Sequence, residues 1–272
     1  MRRPLLACSA LTLGLALAGC SVRDATTEPV TVKADIPAAG LQHLVFESTA
    51  GEAKIGVSPD DAIHATLKMQ QEEKRILGAR LASDSTLKDI EGAKVGQDRK
   101  GDTLTLSAGF PSGDDHNSDV KQEWEVLVPA RLSVDASMKE GRLQIDGVAG
   151  GVKAQLAAGE VVIHVPSGPV YGRLSAGRLH VISDAAEPHD VTVKSTFGLA
   201  ILSLHGEYYG PPPEKDDGFL SHLHMFGNTV AQHGKGKDDV DIKVTAGLAD
   251  LRFGALGDDK EVRRDAFKED QD

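Results

Sequence analysis

Apolar and polar residues alternate along most of the chain, and a glycine interrupts the alternation at intervals. The phrase "AAGEVVIHV" returns 18 residues later as "SAGRLHVIS". Anchored on Gly141, Gly159, Gly177, Gly198 and Gly247, the copies are spaced by 18, 18, 21 and 49 residues. Seven positions before these glycines stand Val134, Val152, Val170, Val191 and Val240; four positions after them stand Ile145, Ile163, Val181, Leu202 and Leu251. An earlier copy around Gly51 has Leu44 and Ile55 at the same offsets. Period-2 alternation is the mark of a strand with one buried face. Each unit therefore reads as strand, glycine corner, strand, the glycine serving where the chain must bend or take a positive φ. A unit of this length cannot bury its apolar face alone, whereas stacked units share a continuous core. Stacking at about 4.8 Å sets like residues above like, so the five valines form one inward column.

The expected fold is thus all-β: a single-domain parallel β-helix, or β-solenoid, over residues 36–257, with an antiparallel β-sandwich as the alternative. Outside the corners, Arg142, Glu160 and Arg178 alternate in sign and are placed to pair between coils, at about 0–1 kcal/mol for each exposed pair. Apolar outward positions at Val162, Leu199 and Ile201 predict a stretch of wall that is covered or meets a partner. Two insertions interrupt the repeat. Residues 69–92 contain "QQEEKRILGARL", a charged helix pattern. Residues 208–237 include Pro211, Pro212 and Pro213; prolines cannot donate to a ladder, so this insertion is expected to leave the solenoid as a loop. Residues 258–272 form a charged tail that frays.

The N-terminus reads as a processing segment. "MRRP" is a charged start, and "LLACSALTLGLAL" is apolar but too short to span a bilayer, which takes about 20 residues. It ends in "LAGC", Leu17 to Cys20. This resembles a bacterial lipobox, which implies removal of residues 1–19 and a diacylglycerol, with further acylation, on Cys20. Residues 20–35 would then tether lipid to domain. Cys8 is the only other cysteine and leaves with the signal, so the mature domain has neither a disulfide nor a thiolate nucleophile. Ser21 follows the cysteine, which in a Gram-negative host points to the outer membrane.

The lipobox, "HLVFESTAGEAKIGVSPDD", the strand end "WEVLVPARLSV" and the repeated glycine phrases together resemble the DUF4097 family of adhesin-like envelope proteins, over about residues 40–256 of the chain. The resemblance implies a right-handed β-helix with one strand per face. It brings no catalytic residues, and the two insertions depart from the family pattern.

Composition narrows the chemistry. The chain has 272 residues, of which 40% are hydrophobic but only 4% aromatic, so Val, Leu, Ile and Ala must fill the core. The formal charge is −11, and removal of Arg2 and Arg3 with the signal makes it more negative. Such a surface is a poor match for nucleic acid or anionic lipid. His205, His222, His224 and His233 are weak metal candidates whose spacing fits no zinc motif, and they read as a polar loop. The acidic doublets Asp60-Asp61, Asp114-Asp115, Asp216-Asp217 and Asp238-Asp239 are adjacent in sequence, unlike two carboxylates facing each other across a cleft. Arg142, Arg178 and Asp250 sit on separate coils. No P-loop, nucleophile elbow or dinucleotide fingerprint is present. Aromatic side chains suited to sugar are few: Tyr171 on an outward face and Trp124 outside the repeats. No catalytic residue and no cofactor are expected. The functional expectation is a non-enzymatic, lipid-anchored envelope protein whose solenoid serves as a structural element or as a surface for another envelope protein or a glycan. A carbohydrate-active β-helix enzyme and a metal-binding accessory lipoprotein are the alternatives.

Overall fold

A computed structural model describes residues 28–71, 74–76, 79–81, 84–113, 120–184, 189–204, 223–225, 229–233 and 240–253. Side chains are described for 28–71, 85–113, 120–184, 189–204 and 242–250. Residues 1–27, with Cys20 among them, and residues 254–272 lie outside the described residues.

The repeat is a stack of long strands: β9 (Ser133–Asp146), β10 (Val152–Val165), β11 (Val170–Ser183), β12 (Val191–Leu204) and β15 (Val240–Phe253). Each pairs in parallel with the next, glycine on glycine from Gly141 through Gly159, Gly177 and Gly198 to Gly247. The strand β2 (His43–Val57) adds a rung below β9, with Gly51 beside Gly141. A straight strand of 14 residues would span about 46 Å. Residues 166–169, which join β10 to β11, reach at most about 19 Å. Yet Val170 lies beside Val152. Each rung must therefore double back within itself, and it does so at the glycine. The result is two walls hinged at a glycine corner and joined on the far side by short turns, an all-β solenoid. The antiparallel sandwich does not describe this repeat, because every pairing within it is parallel.

The core lies between the walls. Val152, Ala154 and Leu156 from the first arm of β10 meet Val161, Ile163 and Val165 from its second arm, and all six are buried. Val134, Val152, Val170, Val191 and Val240 are successive Cα partners, and the four with described side chains are buried. The buried cluster runs unbroken from Ile36 to Ala249.

Both ends of the stack carry further strands that are not rungs of the repeat. At the N-terminal end, β7 (Thr103–Gly109) and β8 (Val120–Val128) share the free edge of β2, one along each arm. Behind β8 lie β3 (Ala62–Gln71) and then β1 (Val30–Pro37); β6 (Lys94–Lys100) backs β7, and all three of these pairings are antiparallel. Gln122 of β8 takes the place beside Gly51 where another rung would put a glycine. Its side chain is buried: Oε1 accepts from Ser48 Oγ and Trp124 Nε1, each at 3.2 Å, and Nε2 donates to Thr49 Oγ1 at 3.3 Å. At the C-terminal end, β13 (Leu223–Met225) and β14 (Thr229–His233) run antiparallel to β15 in one register. These strands belong to the second insertion, which therefore returns to the last rung instead of leaving the solenoid throughout. The sequence between them carries no proline, unlike the 211–213 run. These strands cover the outer edges of the long rungs and leave shorter strands at the margins of the sheet, one of the ways in which β proteins limit edge-to-edge association.

The first insertion also differs from expectation. The 70–81 stretch continues β3 and then forms a short antiparallel pair, β4 (Lys74–Ile76) and β5 (Ala79–Leu81). The helix, α1, spans Asp84–Glu91 instead. Gly78 inside the charged stretch costs a helix about 1 kcal/mol, while Asp84, Ser85 and Thr86 are residues favoured at helix starts. Among the described residues, no helix is long and apolar enough to cross a membrane.

The register is testable with adjacent substitutions. Val170→Asp places an unpaired charge in the buried column, at a cost of several kcal/mol against a typical total stability of about 5–15 kcal/mol. Tyr171→Asp lies on the outer face and should cost little. Thermal melts are expected to show Val170→Asp far less stable, and equal melting of the two would contradict the inward column.

Candidate functional site

The outer face of the first wall carries a groove of about 530 Å³ across the starts of the rungs. It arises from strand geometry. Residues two apart on a strand point the same way, so two outward rows flank a floor made by the backbone of the buried valines. One row is His43, Ser133, Gly151, Pro169 and Asp190; the other is Val45, Asp135, Lys153, Tyr171 and Thr192. Gly151 has no side chain, which widens the groove at its middle. Five strands at about 4.8 Å spacing give it a length of about 19 Å. The floor is set by ladder bonds: Val134, Val152 and Val170 donate their N–H groups to the carbonyls of Gly151, Pro169 and Asp190.

The groove's polar groups are held in pairs. Lys153 Nζ donates to Asp135 Oδ2 at 2.5 Å across neighbouring rungs. His43 Nδ1 hydrogen-bonds Ser133 Oγ. Lys194 Nζ lies 5.3 Å from the centre of the half-buried Tyr171 ring, a cation–π contact. Nothing along the sequence marks this groove as a site, although its rows follow from the same glycine register as the core.

The other candidates fall apart in space. Arg142 and Arg178 both reach Glu160, at 3.4 and 3.5 Å, in one column beside the corner. Asp250 stands in a different column, beside Ile201. Asp60 and Asp61 serve the N-terminal cap: Asp60 accepts from Ser58 Oγ at 2.9 Å, and Asp61 pairs with Arg131 at 2.7 Å. The other acidic doublets, His205 and His222 lie outside the described residues. His224 and His233 lie on β13 and β14, opposite Ala249 and Val240, and their side chains are not described. Trp124 is no surface platform: it is buried, packed edge-on to Phe46 at 5.3 Å between ring centres.

On the outside of the second wall Val162, His180, Ile182 and Ile201 are buried, whereas Leu199, next to the corner, is half-buried. Its polar groups are paired there. His180 Nε2 hydrogen-bonds Ser203 Oγ at 3.2 Å, Ser183 Oγ meets His189 Nε2 at 3.1 Å, and His164 bridges Asp146 and Asp184. Among the described residues no group of three or more His, Cys, Asp or Glu is arranged to hold a metal ion.

No family model matches the chain, so the DUF4097 resemblance stands on the quoted phrases alone. No curated protein matches it either. Among solved structures the chain is similar to a candidate cell adhesion protein from Clostridium sporogenes, with a TM-score of 0.42 and 12% identity, over 83% of this chain and 99% of that one.

One titration is built into the cap. His64 of β3 hydrogen-bonds Asp35 of β1 at 2.7 Å and Asp60 at 3.0 Å. These bonds, Asp35 first, raise the His64 pKa above its ordinary 6.5. The bond from His64, then that from Ser58, lowers the Asp60 pKa below 3.8. The His64 contribution to stability is complete below pH 6.5 and is lost as pH rises through the raised value. The Asp60 contribution is present above pH 3.8 and is lost as pH falls through the lowered value. Melting temperatures of the wild type are therefore expected to decline between pH 6 and 8 more than those of His64→Gln. Parallel declines would show that this imidazole does not pin β1 to β3.

Proposed function

We propose that the chain is a non-enzymatic protein of the bacterial cell envelope, anchored by lipid on Cys20, whose solenoid offers a fixed binding wall to another envelope component. One observation carries this reading: the outer groove crosses five rungs of a wall whose backbone is locked by the parallel ladders. A site on such strands keeps its side chains in place better than one on loops. The lipobox supplies the location, since two or more acyl chains hold a protein stably on a bilayer. The polar side chains of the groove are engaged with one another, as in Lys153 with Asp135, an arrangement suited to recognition.

The test is made in living cells. A photo-crosslinking amino acid at position 171 is expected to give adducts with an envelope component, and the same group at Lys33 on β1 is not. Cys20→Ser is expected to stop palmitate labelling, release the protein from the membrane fraction and remove those adducts. Equal adducts at 171 and 33 would overturn the binding wall. A Cys20→Ser variant that still carried label and stayed with membranes would overturn the anchor.

A further inference from the structure

We infer that the groove takes a linear, uncharged glycan, laid along the solenoid axis; this rests on the binding-wall reading above and names its ligand class. The floor decides first against a peptide strand. Its backbone groups are spent on neighbouring rungs, so the groove offers none of the free ladder groups through which an added strand gains affinity. Recognition must come from side chains.

Those side chains suit a polyhydroxylated chain. Asp135 accepts hydrogen bonds and Lys153 donates them, while Ser133 and Thr192 do both, so hydroxyls of either polarity find a few fixed partners between apolar stretches of Val45, Pro169 and Tyr171. Tyr171 adds an aromatic face for the C–H side of a sugar ring. Lys194, two residues beyond Thr192 on the neighbouring strand, holds its Nζ 5.3 Å from the centre of the Tyr171 ring. Aromatic rings bring large contact area at fixed geometry. Charge excludes the polyanionic glycans. The Asp135–Lys153 pair is self-neutralising, Asp190 is acidic, and the chain as a whole carries −11, which repels anions. Linearity follows from shape: the groove is about 19 Å long by its strand spacing and open along one side, with a volume of about 530 Å³ that falls in the usual range for small-ligand sites.

The experiment probes the purified full-length protein against immobilised linear glucose, mannose and N-acetylglucosamine oligosaccharides of increasing length, with unstructured peptides beside them. Binding to at least one neutral oligosaccharide series, rising with chain length, is the expected result. Tyr171→Ala is expected to weaken it about tenfold or more, as loss of an aromatic anchor does. Tyr171→Phe keeps the ring and should keep binding. Phe197→Ala alters an exposed side chain at the glycine corner, away from the groove, and should change nothing. Failure to bind any of the sugars, or binding that Tyr171→Ala leaves intact, overturns the glycan assignment. Peptide binding that Tyr171→Ala abolishes also overturns it, while position-171 adducts in cells would show that the binding wall itself survives.

Discussion

The contact on which the whole structure depends is between successive glycines. A Cβ on Gly159 would stand 1.9 Å from the carbonyl oxygen of Gly141, and the same 1.9 Å recurs at Gly141, Gly177, Gly198 and Gly247 against the glycine of the rung before. These glycines have φ between 117° and 156°, values that side-chain-bearing residues avoid. Each corner is thus sharp for two reasons, backbone conformation and inter-rung approach, and both require that no side chain be present. The sharp corner lets one strand form two walls, which bring their apolar faces together without aromatic bulk. A sequence with 4% aromatic residues can fill that thin space with Val, Leu, Ile and Ala. The outer groove is a consequence of the same register, because the alternation that turns the valines inward turns their neighbours outward in straight rows.

A stack built this way has to be ended. At one end the glycine column stops on Gln122, whose carbonyl oxygen would lie 1.9 Å from a Cβ on Gly51. Its backbone serves as the next rung would, while its buried amide satisfies Ser48, Thr49 and Trp124. A buried polar side chain costs stability unless its bonds are made, and here donors and acceptors are matched. From this point the two arms of β2 are served by separate strands, β7 and β8, and the solenoid gives way to antiparallel pairing. At the other end the second insertion turns back along β15. A protein with bare parallel edges would be prone to join copies edge to edge.

What was legible in the sequence follows from which forces act over short range. The glycine spacing and the period-2 alternation are local, and they placed Gly51 and Gly141 side by side although 90 residues separate them. The alternating charges of Arg142, Glu160 and Arg178 were also readable, since a fixed register turns spacing into contact. The caps were not. Nothing local in 223–233 says that its partner is β15, and the 70–81 stretch has a helical charge pattern that its strand pairing overrides. Trp124 and Gln122 look like ordinary strand residues until the end of the column is located. The groove needs three facts at once: the register, the missing side chain at Gly151, and the Lys194 contact with Tyr171. The register and the glycine at 151 can be read along the chain; the Lys194 contact cannot.

The glycine contact can be measured against a glycine that lacks it. Gly101 also has a positive φ, 65°, but a Cβ there would meet nothing within 4 Å. Gly101→Ala should therefore report backbone strain alone, about 1–2 kcal/mol. Gly159→Ala adds a collision with the backbone of the neighbouring rung, which no rotamer change relieves. Chemical denaturation is expected to show Gly159→Ala losing more than about 4 kcal/mol, the range reserved for severe packing faults, or failing to fold while Gly101→Ala folds normally. If Gly159→Ala folds and costs no more than Gly101→Ala, the rungs do not depend on the glycine column and the account built on it is wrong.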